Sequence, residues 1–146
     1  MNIKVESAVQ KFISGYNCAQ SVLFSYSDEI DIDKNTALKI AWAFGAGMGR
    51  KQEICGAVTG GIMAISLKYS RFQDEHNPTT EKIYSKTQEL MDRFREKHGT
   101  CKCSELLHGC NLLTEEGQKH FKENDLLNKT CAECVRSAAQ ILEDIL

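Results

Sequence analysis

The sequence is poor in the features that break helices or build sheets. It contains one proline, Pro78, and little of the alternation of apolar and polar residues that is typical of β-strands. Its most apolar run, residues 54–67, includes three glycines and is too short to cross a bilayer, so we expect no membrane insertion. The N-terminal stretch MNIKVESAVQKF lacks the apolar core of a secretory signal, and we therefore expect a cytoplasmic protein.

The sequence also lacks an excess of positive charge. Its formal net charge is -2 at pH 7, and its basic residues are interspersed with acidic ones. Binding to a phosphate backbone requires a concentrated basic face, so we expect no nucleic-acid partner. A chain of 146 residues is long enough for one domain, residues 1–146, to bury most of its apolar surface without disulfides.

Helical periodicity is the dominant pattern that the sequence does contain, and it predicts an all-α, single-domain helical bundle. Segment 54–67 is apolar on nearly all sides, as expected of a helix buried at the centre of the bundle. Its small residues Gly56, Gly60 and Ala64 form a stripe that lets a neighbouring backbone approach closely. The predicted helices cover residues 2–13, 17–26, 36–44, 53–69, 78–97, 114–124 and 130–145, and a short helical turn is predicted near 104–108.

Three finer expectations concern the ends and faces of these helices. Asn77 is a suitable cap for the helix that begins with Pro78, and Gly99 is a suitable residue to end it. Trp42 and Phe44 are expected in the core.

Seven cysteines are unusual for a protein of this kind. The number is odd, so they cannot all pair within the chain. In a reducing cytoplasm, clustered cysteines indicate metal binding, catalysis or redox chemistry more often than structural disulfides. The alternative is that individual cysteines simply fill the core, since free cysteine is among the most buried residue types.

Four of the cysteines share one local setting, the start of a predicted helix. NCAQ at 17–20 and TCAE at 130–133 both have the form of a capping box, which places the second residue of each in a first helical turn. The four are Cys18, Cys55, Cys103 and Cys131. Free amide groups and the positive end of the helix dipole favour a thiolate there, and a thiolate is both a nucleophile and a metal ligand. If these helix starts converge, they form a four-thiolate site or two reactive pairs.

The same cysteines carry a family resemblance. CGAVTG at 55–60 matches the CGAxxG signature of the C_GCAxxG_C_C family of redox-active proteins. The resemblance extends, in the family's order, over four stretches of the chain, the second of which contains this motif: NCAQSVL at 17–23, GAGMGRKQEICGAVTGGIMAISLKY at 45–69, CSELLHGCNLLTEEG at 103–117 and CAECVRSAAQILEDIL at 131–146. The chain therefore resembles this family over nearly its whole length.

The resemblance implies a redox role and a set of four characteristic cysteines, which map onto Cys18, Cys55, Cys103 and Cys131. The family also resembles part of split-Soret-type haem proteins that contain an iron–sulfur centre. Haem does not carry over, because CAEC is followed by Val135 rather than by the histidine of a haem-attachment motif.

Three cysteines lie outside the family pattern. Cys134 is one turn from Cys131 on an apolar helix face, so core packing explains it. Cys101 and Cys110 are candidate resolving thiols for Cys103.

The glycine-rich stretch GAGMGRK at 45–51 favours a role beside the cysteines over phosphate binding. It lacks the ending of a P-loop and follows a helix instead of a strand. Its glycines would let the backbone pass close to Cys55, with Arg50 or Lys51 favouring thiolates there. Gly47, Gly49 and Arg50 are candidate cofactor-binding residues.

The functional hypothesis is a redox centre built from the four helix-start cysteines. In one version they bind an iron–sulfur cluster, or zinc, and the protein transfers electrons or senses redox state. In the other they cycle between thiols and disulfides. A rival from another class is a zinc-stapled or metal-free binding module without catalytic turnover. We expect a redox partner, which the sequence does not identify. The sequence also allows the protein to form a homo-oligomer.

Overall fold

The computed structural model describes the backbone of residues 2–70 and 76–146 and the side chains of residues 2–70 and 78–146. The all-α prediction is confirmed. In chain order the helices are α1 (Ile3–Ile13), α2 (Cys18–Ser25), α3 (Lys34–Ala41), α4 (Gly45–Met48), α5 (Gly56–Tyr69), α6 (His76–His98), α7 (Cys103–Leu106), α8 (Glu115–Glu123) and α9 (Ala132–Ile145). A 3₁₀ turn, Trp42–Phe44, joins α3 to α4, and a π-helical turn, Leu127–Cys131, leads into α9.

Helix α5 is the buried centre of the bundle, as its sequence predicts. It packs against α2, α6 and α9, and most of its residues from Gly56 to Ile65 are buried. Its partners contribute fully buried apolar side chains, among them Leu23 of α2, Leu90 of α6 and Leu142 of α9. Because α5 is apolar all round, it must be covered on every side, and this requirement sets the arrangement of the other helices.

The small-residue stripe on α5 brings α2 close to it. A β-carbon at Gly60 would lie 2.6 Å from the Ala19 carbonyl oxygen. At Gly56 it would lie 3.1 Å from the Ala19 amide nitrogen and 3.1 Å from the β-carbon of Cys18. Since backbone atoms cannot move aside as a flexible side chain can, the two helices reach this separation only with glycine at these positions.

Helix α9 closes the bundle against α1, α6 and α5. Val135, Ala138 and Leu142 are fully buried along its inner face. The Tyr26 hydroxyl donates to the Ala139 carbonyl oxygen at 2.8 Å and thereby joins the end of α2 to α9. The predicted apolar face of the last helix is confirmed.

The predicted helix 78–97 corresponds to α6, which Gly99 follows with a φ of +85°. The side chain of Asn77, the predicted cap, lies outside the described residues, as do residues 71–75, which fall between two predicted helices. Among the helices within the described ranges, none combines the length and the apolar character needed to cross a bilayer.

The expectation that Trp42 lies in the core is wrong. The α-helix ends at Ala41, and the chain continues as a 3₁₀ turn, so the helical periodicity on which the expectation rested stops before the indole. Trp42 is 68% exposed, and its carbonyl oxygen accepts a hydrogen bond from Asn17 Nδ2 at 2.8 Å. Phe44, at the end of the same turn, packs against the core as expected.

Candidate functional site

The close contact between α2 and α5 brings Cys18 and Cys55 together. Cys18 is the first residue of α2, after a complete capping box in which Asn17 Oδ1 accepts from the Gln20 amide at 2.9 Å and Gln20 Oε1 accepts from the Asn17 amide at 3.0 Å. Cys55 is the residue that precedes α5. Both cysteines are buried. The sequence-based placement of these two at helix starts is therefore confirmed.

A short extended pairing places Cys103 beside this pair. Ile54 and Lys102 form an antiparallel bridge, in which the Cys55 amide donates to the Cys101 carbonyl oxygen at 2.8 Å and the Cys103 amide donates to the Glu53 carbonyl oxygen at 2.6 Å. Cys103 then begins the single turn of α7.

Cys131 reaches the same region by a route that the sequence did not reveal. The predicted capping box at Thr130 is wrong, because the π-helical turn Leu127–Cys131 continues directly into α9. The Ala132 amide already donates to the Leu127 carbonyl oxygen, and no side chain caps α9. A chain that is helical before residue 131 has no free first-turn amides there for a threonine to bind. Cys131 is the half-buried member of the group.

One cavity unites these residues. Its volume is about 370 Å³, and five of the seven cysteines line it: Cys18, Cys55, Cys103, Cys131 and Cys134. All seven cysteines are free thiols. The structure thus brings together the four cysteines singled out in the sequence and adds Cys134. Cys134 is buried in the core, as expected, but the packing explanation is incomplete, because its thiol also interacts with Cys55.

The surroundings of the Cys55 thiol favour its ionisation. Hydrogen bonding with the side chains of Cys134 and then Cys18 lowers its pKa well below the ordinary thiol value, against the opposing effect of burial. The amides of Ala57 and Val58, in the first turn of α5, lower it further, although the side chain does not reach cap hydrogen-bond geometry. Cys55 is therefore the thiol that these surroundings favour as a thiolate.

The neighbouring thiols are held in the protonated form. Interaction with Cys131 and then Cys55, followed by burial, raises the pKa of Cys18. Interaction with Cys55, followed by burial, raises the pKa of Cys134. Burial, followed by the charges of Cys55 and Cys131, raises the pKa of Cys103 to about 12. The cluster therefore places one favoured thiolate, Cys55, beside the protonated thiols of Cys18, Cys103 and Cys134.

Comparison with known proteins identifies the family. Residues 16–145 match the family model described as "Putative redox-active protein (C_GCAxxG_C_C)". The chain belongs to the C_GCAxxG_C_C family. An uncharacterized protein of Archaeoglobus fulgidus is 27% identical over 114 residues, which cover 73% of this chain and 76% of that protein. No solved structure matches the chain.

The cysteines outside the C_GCAxxG_C_C pattern differ in their surroundings. Cys101 is buried in the main core, and its thiol donates to the Met91 carbonyl oxygen at 3.5 Å. Cys110 packs with Cys103 and Leu107 in a second, smaller cluster, and its thiol donates to the Gly117 carbonyl oxygen at 3.1 Å. Of the two candidate resolving thiols, Cys110 is thus the one that shares a cluster with Cys103.

The glycine-rich loop forms one wall of the cavity in an unusual conformation. Residues 46–50 all have a positive φ, between 51° and 75°, so the short element α4 is not a regular right-handed helix. This stretch is a left-handed turn, which disfavours residues other than glycine. Gly47 and Arg50 line the cavity, whereas Gly49 does not. A β-carbon at Gly47 would lie 2.8 Å from the β-carbon of Cys103. The glycine at this position therefore lets the loop pass over the cysteine.

Gln52 fixes this loop in place, a role that no local sequence pattern indicates. Its side chain is buried; Nε2 donates to the Cys110 carbonyl oxygen at 2.7 Å, and Oε1 accepts from the Leu112 amide at 2.8 Å. A buried glutamine whose amide nitrogen and oxygen each bind a backbone group joins the loop to the segment after α7.

The cysteine cluster supplies the right donors for a metal centre but not a formed coordination site. Thiolates are ligands for zinc and for iron–sulfur clusters, and five sulfurs line the cavity. Across residues 2–70 and 76–146, however, no group of three or more His, Cys, Asp or Glu side chains is arranged to hold a metal ion. In this arrangement the described side chains therefore do not form a geometry that fits a metal ion.

Proposed function

We propose that the protein is a thiol–disulfide redox protein whose reacting group is Cys55, with Cys18 or Cys134 as the second thiol. The observation that carries this proposal is the meeting of five free cysteines from separate segments at one cavity. The membership of the chain in a family described as redox-active supports it.

The roles within the cluster follow from the environment of each thiol. The thiolate is the nucleophile in disulfide exchange, and the surroundings of Cys55 lower its pKa, so Cys55 is the attacking group. Cys18 and Cys134 are the thiols that interact with Cys55 directly. One of them completes the disulfide once Cys55 has been oxidised. Over the two steps the two cysteines give up two electrons to a disulfide oxidant, which is released as two thiol groups, and the proton of the second cysteine passes to the thiolate that leaves last or to solvent.

A sulfur-bound metal centre, an iron–sulfur cluster or zinc, is the second candidate. The sulfur-only character of the cluster favours it, because softer metals select thiolate ligands. This version requires side chains to move into a coordination geometry. It would make the protein an electron carrier or a redox sensor, or, with zinc and no redox response, a binding module.

Anaerobic purification followed by oxidation with one equivalent of diamide separates these functions. We expect the loss of two titratable thiols, and peptide mass spectrometry should locate a disulfide between Cys55 and Cys18 or Cys134. Cys55→Ser should abolish this disulfide. Cys101→Ser is the matched control, because Cys101 is also buried but does not line the cavity, and it should leave the disulfide unchanged.

Metal analysis and visible absorption of the same preparation provide the opposing outcome. Stoichiometric iron with cluster absorption that disappears in Cys55→Ser would replace the thiol–disulfide function by the metal centre. Stoichiometric zinc without any change on oxidation would replace it by the binding module. A diamide-induced disulfide that does not contain Cys55 would also overturn the proposal.

A further inference from the structure

The cavity above the thiol cluster has the dimensions of a small-molecule site. Its volume of about 370 Å³ lies within the range that binds ligands of low molecular mass. Four of the five thiols that line it belong to buried residues, each less than 9% exposed. A disulfide within a folded protein is attached to backbone on both sides and cannot enter such a space. Burial of these thiols therefore favours a small molecule over a disulfide of another folded protein as their reaction partner.

The walls of the cavity are apolar and partly aromatic. They include Phe12, Tyr16, Leu106, Leu107, Leu112 and Phe121, contributed by α1, the segment that follows it, α7 and α8 with their adjoining segments. Burial of apolar surface is the main source of affinity in such a pocket. The ligand that fits best has a flat or bulky apolar body.

Apart from the Cys55 thiolate, the charged side chains at the cavity are all positive. Arg50 and Lys122 line it, and no Asp or Glu among the described residues does so. Both cations are exposed, and neither forms an ion pair within the part of the chain that the structure describes. The whole chain has a net charge of -2, so this local positive character is opposite to the average of the protein. Unpaired cations at the rim of an apolar pocket favour a ligand with a negative group.

We propose that the cavity binds a small organic disulfide with an apolar, aromatic body and an anionic group, and that Arg50 and Lys122 bind the anionic group. This inference rests on the proposed thiol–disulfide function and assigns the substrate class to it. The apolar walls hold the body of the ligand, the cations hold its charged end, and the disulfide faces the cysteines.

The reaction proceeds in two exchanges. The Cys55 thiolate attacks one sulfur of the ligand, R–S–S–R; a mixed disulfide forms between Cys55 and one half of the ligand, and R–S⁻ leaves. The sulfur of Cys18 or Cys134 then attacks the Cys55 sulfur and loses its proton. A protein disulfide forms, and the second half leaves as R–SH. The ligand gains two electrons, and the two cysteines lose them.

Reaction rates with three disulfide probes test the ligand class. The probes are dithiobis(nitrobenzoate), which is aromatic and anionic, dithiodipyridine, which is aromatic and neutral, and cystamine, which is aliphatic and cationic. Each rate for the folded, reduced protein is divided by the rate for the same protein unfolded in urea, which removes the intrinsic reactivity of the probe. We expect the ratio to be highest for dithiobis(nitrobenzoate), with saturation as its concentration rises.

Charge-matched variants test the two cations. Arg50→Gln combined with Lys122→Gln should lower the ratio for the anionic probe about tenfold and leave that for dithiodipyridine unchanged. The control is Lys51→Gln combined with Lys119→Gln, which removes the same net charge from neighbouring positions that do not line the cavity. An equal loss in both double variants would reduce the effect to general electrostatic attraction and would overturn the assignment of Arg50 and Lys122.

A non-reacting ligand separates this inference from the function on which it rests. Calorimetric titration with naphthoate, an aromatic carboxylate that cannot exchange with thiols, should show binding that is weakened in the cavity variant and retained in the control. Absence of naphthoate binding, together with equal ratios for the three disulfides, would overturn the substrate class while leaving the Cys55 disulfide intact. Binding of naphthoate without any diamide-induced disulfide would instead overturn the thiol–disulfide function.

Discussion

Gly60 of α5 lies directly against Ala19 of α2, so that a β-carbon at position 60 would stand 2.6 Å from the Ala19 carbonyl oxygen. A β-carbon at Gly56, four residues earlier, would lie 3.1 Å from the Ala19 amide nitrogen and 3.1 Å from the Cys18 β-carbon. Cys18 and Cys55 stand at the starts of these two helices. The contact between the helices therefore determines the contact between the thiols.

Gly60→Ala should destabilise the protein by about 1–3 kcal/mol, because the added methyl group meets backbone that cannot yield without moving a helix. The matched control is Gly61→Ala on the same helix, where the nearest atom is the side-chain end of Leu90 at 2.8 Å. That side chain can rotate away, and alanine is the better helix former, so the loss should be below about 1 kcal/mol. Urea denaturation under reducing conditions measures both. Equal losses would show that α2 and α5 are not in close contact.

Gln52→Ala should cost about 2 kcal/mol or more, because it leaves the Cys110 carbonyl oxygen and the Leu112 amide without their partner inside the protein. Gln118→Ala is the control, since Gln118 also bonds to this segment, through the Leu112 carbonyl oxygen at 2.9 Å, but is exposed. Water can replace that bond, so its loss should stay below about 1 kcal/mol. Thermal or urea unfolding distinguishes the two, and equal effects would contradict the anchoring role of Gln52.

The stability of the reduced protein should fall as the pH rises above about 9. The Cys103 thiol ionises near 9.0 when unconstrained, but its pKa is raised to about 12 in the folded state. Between these values the unfolded chain has released the proton and the folded chain has kept it, so each rise in pH favours unfolding. One such group gives a slope of at most about 1.4 kcal/mol per pH unit.

Cys103→Ser should reduce this slope, and urea titrations at pH 9 and 10 measure the change. Measurements between pH 6 and 7.5 serve as the internal control. There Cys103 is protonated in both states, so wild type and variant should differ by a constant amount. An identical alkaline slope in the variant would show that the Cys103 thiol is not held in its neutral form.

Alkylation by iodoacetamide should report the acidity of Cys55. Because hydrogen bonding with Cys134 and Cys18 lowers its pKa, Cys55 should carry thiolate, and react, at pH values where ordinary thiols are protonated. In the folded protein, iodoacetamide should therefore modify one cysteine rapidly at pH 6. Peptide mass spectrometry should identify that cysteine as Cys55. In urea this selectivity should vanish. A rate that rises only near the pH of ordinary thiols would refute the lowered pKa.

The fluorescence of Trp42 should be that of an exposed indole, since the chain has a single tryptophan and it is 68% exposed. We expect a red-shifted emission that acrylamide quenches efficiently. Trp42→Ala should change the free energy of unfolding by no more than about 0.5 kcal/mol. Phe94→Ala is the contrasting variant, because Phe94 is fully buried, and it should cost about 3–5 kcal/mol. A blue-shifted, unquenched emission would place the indole in the core after all.

The sequence alone determined the elements whose causes are local. The apolar periodicity predicts α5 as the central helix, and the pairing of Asn17 with Gln20 predicts the start of α2, because both depend on residues within a few positions of each other. The CGAxxG motif and its accompanying cysteines indicate the family, and residues 16–145 match it. The small-residue stripe at Gly56 and Gly60 also predicted the close approach of another backbone.

The tertiary structure decided which side chains meet. Periodicity could not show that the helix before Trp42 ends as a 3₁₀ turn, or that a π-helical turn before Cys131 removes the predicted cap. Periodicity assigned Cys134 to the core, but it could not show that the Cys134 thiol interacts with Cys55. That contact depends on how α9 packs against α5. Local sequence specifies which face of a helix is apolar; the approach of other helices specifies what that face touches.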